Sequence, residues 1–495
     1  MRGPMRKLNE LYERKKRLQD IMKTRKIGPR ERINLLIDSG SFLELNAFVE
    51  KRSEEFGLKE LELPYDGVIT GIGTIDGRPV AIYSQDFSVL NGSIGEMHGI
   101  KIANLYDHAL KVGIPVVGIV ESSGARIQEG VDALKGLGEV VNRIARAKGV
   151  VPQINIICGP CTIGATFLMN ADFVIMIKDP RCYSYIVDPQ IIKIVTGEEI
   201  SSLELGGWEA AAKSGNCHFV AENDFEAIQL AKKILSYLPL NNLEDPPKID
   251  CKDPANRLNH EINKIVPEDQ QKAYDIRDVV KSVVDDGEFI EVQEKFAQNV
   301  FTCFARLDGR SVGVVANNPA ILAGCLDSKG CMKIANFVRF CDSFNIPVIN
   351  FVDVPGYLPS AEEEQEGLTR HVFEVVLAYS RASIPILTVI VRKAYGGAYI
   401  AMGSKHVGAD FVFAFPTSEI SVVGPETAVE ILYRDKLEKT KIEKLSEKLA
   451  EYREKHTNPY RVAARGYIDD VIDPKYTRIK LISALRLLES KRSLR

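Results

Sequence analysis

Short apolar runs rich in β-branched residues alternate along the chain with longer stretches of helical spacing, and the alternation occurs twice. Residues 116–120, 154–158 and a run from Phe173 read as buried strands, with a helix over 99–112 before the first of them. The same order returns as a helix over 332–344, strands over 348–351 and 386–391, and a run from Phe411. Ahead of each set, two apolar runs flank Asp76-Gly77 or Asp308-Gly309, a pair that favours a type I′ hairpin because both central residues need positive φ. Strands separated by helices predict an α/β fold whose helices cover a mainly parallel sheet.

The second set repeats the first residue by residue. Asp76-Gly77-Arg78 recurs as Asp308-Gly309-Arg310, Lys101-Ile102-Ala103-Asn104 as Lys333-Ile334-Ala335-Asn336, and Ile114-Pro115-Val116 as Ile346-Pro347-Val348, each displaced by 232 positions. Ile163-Gly164-Ala165 answers to Gly396-Gly397-Ala398 at 233, and Ala171-Asp172-Phe173-Val174 to Ala409-Asp410-Phe411-Val412 at 238, a drift expected of loop insertions. The copies open on Asp38-Ser39-Gly40-Ser41-Phe42-Leu43-Glu44 and Asp285-Asp286-Gly287-Glu288-Phe289-Ile290-Glu291. A repeat this long predicts two domains, 1–245 and 246–495, joined through a segment over 238–269 broken by Asn241, Asn242, Pro246, Pro247 and Pro254. A charged stretch over 436–455 carries Leu437, Ile442, Leu445, Leu449 and Tyr452 at near-helical spacing. It reads as a helix packed on its own domain, with a coiled-coil partner face as the alternative.

Composition removes several functions. The 64 Lys and Arg against 67 Asp and Glu give a net charge of -3, which supplies no field for collecting nucleic acid or an anionic membrane. No run of 18 uncharged apolar residues occurs, and the first twenty residues carry Glu10, Glu13 and Asp20 in place of a signal-peptide core, so a soluble cytoplasmic protein is expected. Nine cysteines, an odd number set in apolar stretches, suit reduced buried thiols. Cys158-Gly159-Pro160-Cys161 has redox spacing but follows an apolar run deep in the chain, and is expected to be small residues at a strand end. Without a second C-x-x-C or an H-E-x-x-H pair, no metal site is expected.

Ligands of a parallel α/β sheet meet the carboxyl ends of strands, where the next helix begins with free N–H groups. Two strand-to-helix turns qualify, one over 158–165 and one over 392–399. Converging N–H donors there can stabilise an oxyanion; the competing reading is that the glycines only ease a tight turn. At the preceding strand ends stand Glu121 to Gly130 and Asp353-Val354-Pro355-Gly356-Tyr357. Ser123 has no G-x-S-x-G elbow around it. Arg126 suits a phosphate or carboxylate, or equally an ion pair with Glu129. Neither a Walker A loop nor a G-x-G-x-x-G follows the first strand.

Gly92-Ser93-Ile94-Gly95-Glu96-Met97-His98-Gly99, Ser123-Gly124-Ala125-Arg126-Ile127-Gln128-Glu129-Gly130, Phe351-Val352-Asp353-Val354-Pro355-Gly356-Tyr357 and Ala394-Tyr395-Gly396-Gly397-Ala398-Tyr399 together resemble the signature of the carboxyltransferase subunits of biotin-dependent acyl-CoA carboxylases, including propionyl-CoA carboxylase β chains and methylmalonyl-CoA and glutaconyl-CoA decarboxylase α chains. The likeness runs from about Leu8 to Leu488 and implies two tandem crotonase-like domains. It further implies that the N-terminal domain binds the acyl-CoA, with the thioester oxygen on the N–H groups of Ile163 and Gly164 and with Ser123, Gly124, Ala125, Arg126, Ala165 and Ile400 around the substrate. The C-terminal domain would hold the biotin ureido oxygen on the N–H groups of Gly397 and Ala398, beside Pro355, Gly356, Tyr357 and Gly396. In such enzymes carboxybiotin releases carbon dioxide, the biotin removes the α-proton, and the acyl-CoA enolate attacks the carbon dioxide, so no side-chain acid/base pair is required. The N domain of one subunit faces the C domain of another, and dimers commonly form hexamers.

Some positions depart from the family pattern. Ile163 stands where glycine is common, Glu121-Ser122-Ser123 replaces Asp-Ser-Gly, Ile186-Val187-Asp188-Pro189 replaces a frequent Thr-Gly-Pro, Trp208 stands where a histidine is usual, and the loop over 360–366 is unusually acidic. No biotin-attachment Ala-Met-Lys-Met and no ATP-grasp sequence occur, so a biotin carboxyl carrier protein and a biotin carboxylase are expected on other chains. A membrane-linked decarboxylase subunit is the alternative partner. A biotin-independent crotonase-like enzyme and a non-catalytic scaffold are the remaining readings.

Overall fold

The computed structural model describes residues 27–437 and 442–491. The chain divides into two compact units, Met1–Ser236 and Tyr237–Arg495. This places the division nine residues before position 245, and the proline-broken segment belongs to the second unit.

In the first unit the sheet runs, edge to edge, β1 (Leu43–Leu45), β2 (Val68–Ile75), β3 (Arg78–Gln85), β4 (Val116–Ser122), β5 (Gln153–Thr162), β6 (Phe173–Ile177) and β8 (Phe219–Ala221), with β7 (Tyr183–Tyr185) added beside β5. β1, β2 and β3 pair antiparallel, and every later pairing is parallel. Helices α1 (Glu96–Val112) and α2 (Val131–Ala147) pack on one another. Their apolar faces, through Ile102, Leu105, Val140 and Ile144, close over Val116, Val120 and Ile157 of the sheet.

The second unit repeats this topology strand for strand. β9 (Phe289–Glu291), β10 (Val300–Leu307), β11 (Arg310–Asn317), β12 (Val348–Val354), β13 (Ile386–Tyr395), β14 (Phe411–Ala414) and β16 (Asp470–Val471) form the path, and β15 (Glu419–Ser421) joins beside β13. The registers match as well: Val120 pairs with Ile157 and Val352 with Ile390, each followed by the same irregularity, so β13 lies 233 positions after β5 as the sequence repeat requires.

Both hairpins are of the expected kind, with φ 51° and 75° at Asp76 and Gly77 and 54° and 74° at Asp308 and Gly309. The repeated Asp-x-Gly-x-Phe-x-Glu segment supplies the reason they hold: the Asp38 carboxylate accepts both turn N–H groups, at 3.1 and 2.9 Å, and Asp285 does the same at 3.0 and 2.8 Å. Lys101 and Lys333 are buried at equivalent places. The Lys333 ammonium donates to the carbonyls of Gln293, Phe296 and Val300, and Lys101 to those of Tyr65 and Val68, so each charge is matched by oriented backbone dipoles.

Two expectations on strand length are corrected. β5 and β13 were expected to stop near 158 and 391, but they run to Thr162 and Tyr395 because a second parallel partner, β7 or β15, pairs with those last residues. Cys158-Gly159-Pro160-Cys161 therefore lies inside a strand, and its buried thiols donate to the Val120 and Ala165 carbonyls. Near the C-terminus α3 (Pro425–Leu437) and α4 (Ile442–Tyr452) pack together, with Lys448 over the Tyr433 ring, the expected packing of the charged helix on its own unit. The side chains of Leu437 and Ile442 lie outside the described residues.

Candidate active site

β5 ends at Thr162 and the chain turns through Ile163 and Gly164, both with positive φ (45° and 89°), into a short helical segment Ala165–Asn170. Neither the Ile163 nor the Gly164 N–H has a backbone acceptor among the described residues. The Ser123-Gly124-Ala125 loop lies directly against this turn. Ala125 N–H donates to the Ile163 carbonyl at 3.1 Å, and a Cβ on Gly124 would stand 2.4 Å from that carbonyl oxygen. The structure thus brings together Ser123, Gly124, Ala125, Ile163, Gly164 and Ala165.

Arg126 is placed otherwise than a direct ligand would be. Its guanidinium is fully buried, with Nη1 at 2.6 Å from Asp66 and 2.7 Å from Glu129, Nε on the Ser93 hydroxyl and Nη2 on the Ser93 carbonyl. Of the two readings left open for this side chain, the ion pair with Glu129 is present, joined by Asp66, and these four bonds hold its fork inside the protein. Asp66 was not found from sequence, since it lies sixty residues from Arg126 with no motif around it. Its second oxygen accepts the His98 N–H at 2.8 Å, and burial pushes its carboxyl above the usual range although Arg126 draws it down. The His98 ring is sealed between the Asp66 carbonyl and Gln85, and burial lowers its pKa to about 3, so it is neutral.

The second turn has the same register. β13 ends at Tyr395, Gly396 has φ 62°, and a short helix, Gly396–Ala401, begins with no side-chain cap, leaving first-turn N–H groups of Gly397 and Ala398 without intrahelical acceptors. A Cβ on Gly397 would stand 3.3 Å from the Tyr357 ring, so Tyr357 forms one wall of this turn. Pro355 and Gly356 lead into that wall, and the Gly356 carbonyl accepts Leu326 N–H. Burial raises the Tyr357 phenol to about 12. Ile400 is partly exposed on the helix of this second turn, away in sequence from the acyl-side loop it was grouped with.

Beneath the second turn lies a network the sequence did not announce. Asp353, fully buried, accepts from the Tyr274 hydroxyl and Arg392 Nε, both at 2.9 Å, and from Lys393 N–H at 3.1 Å. Arg392 also donates to the carbonyls of Asp269 and Lys272, pinning that loop to the end of β13. In the first unit the equivalent acid, Glu121, pairs with buried Arg32 at 3.0 Å. Among the described residues no group of three or more His, Cys, Asp or Glu could hold a metal ion, and no helix is long and apolar enough to cross a membrane.

Two copies of one α/β unit, each closing its central strand on a glycine turn with main-chain donors left over, define a tandem crotonase-like protein. The chain belongs to the carboxyl transferase family, whose carboxyl transferase domain matches residues 23–495, and it is a carboxyltransferase. The propionyl-CoA carboxylase carboxyltransferase subunit of Haloferax mediterranei is 49% identical over 471 residues, 94% of this chain and 91% of that protein. Methylmalonyl-CoA decarboxylase subunit alpha of Veillonella parvula is 48% identical over 469 residues, again 94% and 91%. The transcarboxylase 12S crystal structure, described as a hexamer with methylmalonyl-coenzyme A and methylmalonic acid bound, superposes with a TM-score of 0.92 at 44% identity, covering 100% of this chain and 96% of that one.

Proposed function

We propose that this protein transfers a carboxyl group between biotin, carried on a separate protein, and the α-carbon of a short acyl-CoA such as propionyl-CoA. The observation that carries the reading is the pair of registered turns, Ile163-Gly164-Ala165 and Gly396-Gly397-Ala398, each presenting unengaged main-chain N–H groups at the carboxyl end of a central strand. A thioester oxygen on the Ile163 and Gly164 N–H groups becomes more acidic at its α-carbon, because the charge that develops on oxygen is met by fixed dipoles. Losing one such donor costs about 3 to 4 kcal/mol of transition-state stabilisation. Side chains at both turns are Ile163, Ala165 and Ala398, none of which titrates, so the protein supplies orientation and electrostatics in place of an acid or base.

The second turn fits a flat, neutral urea. Gly397 has no side chain where a Cβ would press on Tyr357, which leaves its main chain approachable, and Tyr357 offers a ring as the neighbouring wall. Gly397 and Ala398 would hold the biotin oxygen, with Pro355, Gly356, Tyr357 and Gly396 around it. Biotin supplies the carboxyl group and the base for the α-proton. The two relatives favour opposite directions of one reaction, and the alternative reading is the α subunit of a membrane-linked decarboxylase acting on methylmalonyl-CoA or glutaconyl-CoA. We place the protein in the cytoplasm as a homo-oligomer, with a biotin carboxyl carrier protein and biotin carboxylase, or a membrane decarboxylase subunit, as partners. Turnover of malonyl-CoA, methylmalonyl-CoA and glutaconyl-CoA with free biotin tests the activity. Folded protein that turns over none of them would overturn it, and co-purification with a biotin carboxylase or with a membrane subunit separates the two settings.

A further inference from the structure

The duplication contains an internal control for the buried ion triad. In both units the loop after the second parallel strand bridges back to the same place, Ile94 with Ala125 and Leu326 with Tyr357. The second unit keeps carboxylates on the matching helix donors, Glu363 on Ser328 N–H and Asp327 on Gly330 N–H, both at 2.7 Å, but it sets no guanidinium between them: the positions matching Asp66, Arg126 and Glu129 are Gln298, Leu358 and Ala361. The first unit also differs at the turn. Ile163, a β-branched residue, sits at φ 45°, where its counterpart is Gly396. Left-handed backbone is a genuine outlier for such a residue and needs surroundings that hold it. Ala125 N–H on the Ile163 carbonyl is one such hold, and among the described residues no equivalent bond joins Tyr357 N–H to Gly396.

We propose that Arg126, with Asp66 and Glu129, is a positioning residue that clamps Ile163 in its left-handed conformation and so aims the Ile163 and Gly164 N–H groups. The chain of contacts is continuous. Asp66 and Glu129 fix the guanidinium, and their remaining oxygens accept the His98 and Glu96 N–H groups of α1 at 2.8 and 2.7 Å. Arg126 N–H donates to Ile94 at 2.9 Å, and Ile94 N–H to Gly124 at 2.8 Å, which leaves Ala125 N–H facing Ile163. The second unit has glycine at the strained position and dispenses with the triad. The proposal rests on the acyl-CoA reading of the first turn, but its test is independent of turnover.

Hydrogen exchange of the 123–126 segment is measured in the full-length protein and in Arg126→Lys, Ile163→Gly and the double variant. Lysine keeps the charge and loses the fork. Exchange in Arg126→Lys should rise about tenfold, or ~1.4 kcal/mol of local opening, and return toward the parent rate in the double variant, where the turn no longer needs holding. With acyl-CoA, kcat of Arg126→Lys should fall by about ten- to a hundredfold at little-changed KM, and the double variant should recover most of it. Unchanged exchange in folded Arg126→Lys, or equally fast exchange in the double variant, would overturn the clamp. Should Arg126→Lys not fold, Glu129→Gln, which keeps size and removes the charge, carries the same comparison. Absence of turnover in the parent protein, with the exchange pattern as expected, would remove the acyl-CoA reading and leave the clamp standing.

Discussion

Gly124 and Gly356 occupy the same place in the two units, 232 positions apart, and both have positive φ, 103° and 146°. Adding a methyl to each asks what surrounds that place. At Gly124 the new Cβ would meet the Ile163 carbonyl oxygen at 2.4 Å, the Thr162 carbonyl oxygen at 2.5 Å and the Ile163 Cβ at 2.6 Å, all parts of the turn after β5. At Gly356 it would meet nothing within 4 Å. Backbone strain is common to both substitutions, at about 1 to 3 kcal/mol. Gly124→Ala adds an overpacking cost of about 1 to 3 kcal/mol, because its neighbours are backbone and cannot swing aside. Gly124→Ala should therefore lose about 2 to 6 kcal/mol of stability, Gly356→Ala only about 1 to 3. Urea unfolding of both variants gives this difference directly. Since the displaced atoms belong to the turn that presents Gly164 N–H, Gly124→Ala should also lose about 100-fold or more in kcat, the usual cost of a missing oxyanion donor. Equal destabilisation by the two substitutions, or parental turnover by Gly124→Ala, would refute the packing of this loop on the turn.

Acid should loosen the first unit through two histidines, the sealed His98 and the half-buried His218. Burial lowers His98 and His218 to about 3, and His218 Nδ1 accepts Val174 N–H, which requires a neutral ring. A pKa below the unfolded value of about 6.5 means stability that is whole above that pH and lost as pH falls toward 3, at about 1.4 kcal/mol per pH unit for each ring. Melting temperatures between pH 6.5 and 5 should show this slope, and His218→Asn should roughly halve it. Arg392→Met leaves Asp353 buried with its charge partner gone and should cost about 3 to 5 kcal/mol in urea unfolding, with a smaller loss when Asp353→Asn accompanies it. Gly397→Ala sets a methyl 3.3 Å from the Tyr357 ring, so turnover with free biotin should drop while acyl-CoA binding, measured by calorimetry, holds.

Much of this architecture was legible because it was written twice. Three motif pairs at one displacement foretold the matched sheets, and the step from 232 to 233 foretold the exact partner of each turn residue, which the strand registers then reproduced. What stayed hidden depends on contacts between positions remote in sequence. The last residues of β5 and β13, Gly-Pro-Cys-Thr and Lys-Ala-Tyr, lack strand-like composition and are extended only because β7 and β15 pair with them. Glu129 was a visible partner for Arg126, but Asp66 arrives from the loop before β2. Tyr274 and Asp353 meet across 79 positions. Lys101 and Lys333 were visible as repeated residues, and their purpose emerged only with the carbonyls they cap.

The central claim is that one duplicated turn serves the acyl-CoA and the other serves biotin through main-chain N–H groups. Transfer of a labelled carboxyl group from methylmalonyl-CoA to free biotin, in the parent and in Gly397→Pro, tests it most directly. Proline carries no N–H and is tolerated in the first turn of a helix. The account predicts labelled carboxybiotin from the parent, and loss of transfer in Gly397→Pro with acyl-CoA binding retained. Parental transfer by folded Gly397→Pro would contradict it.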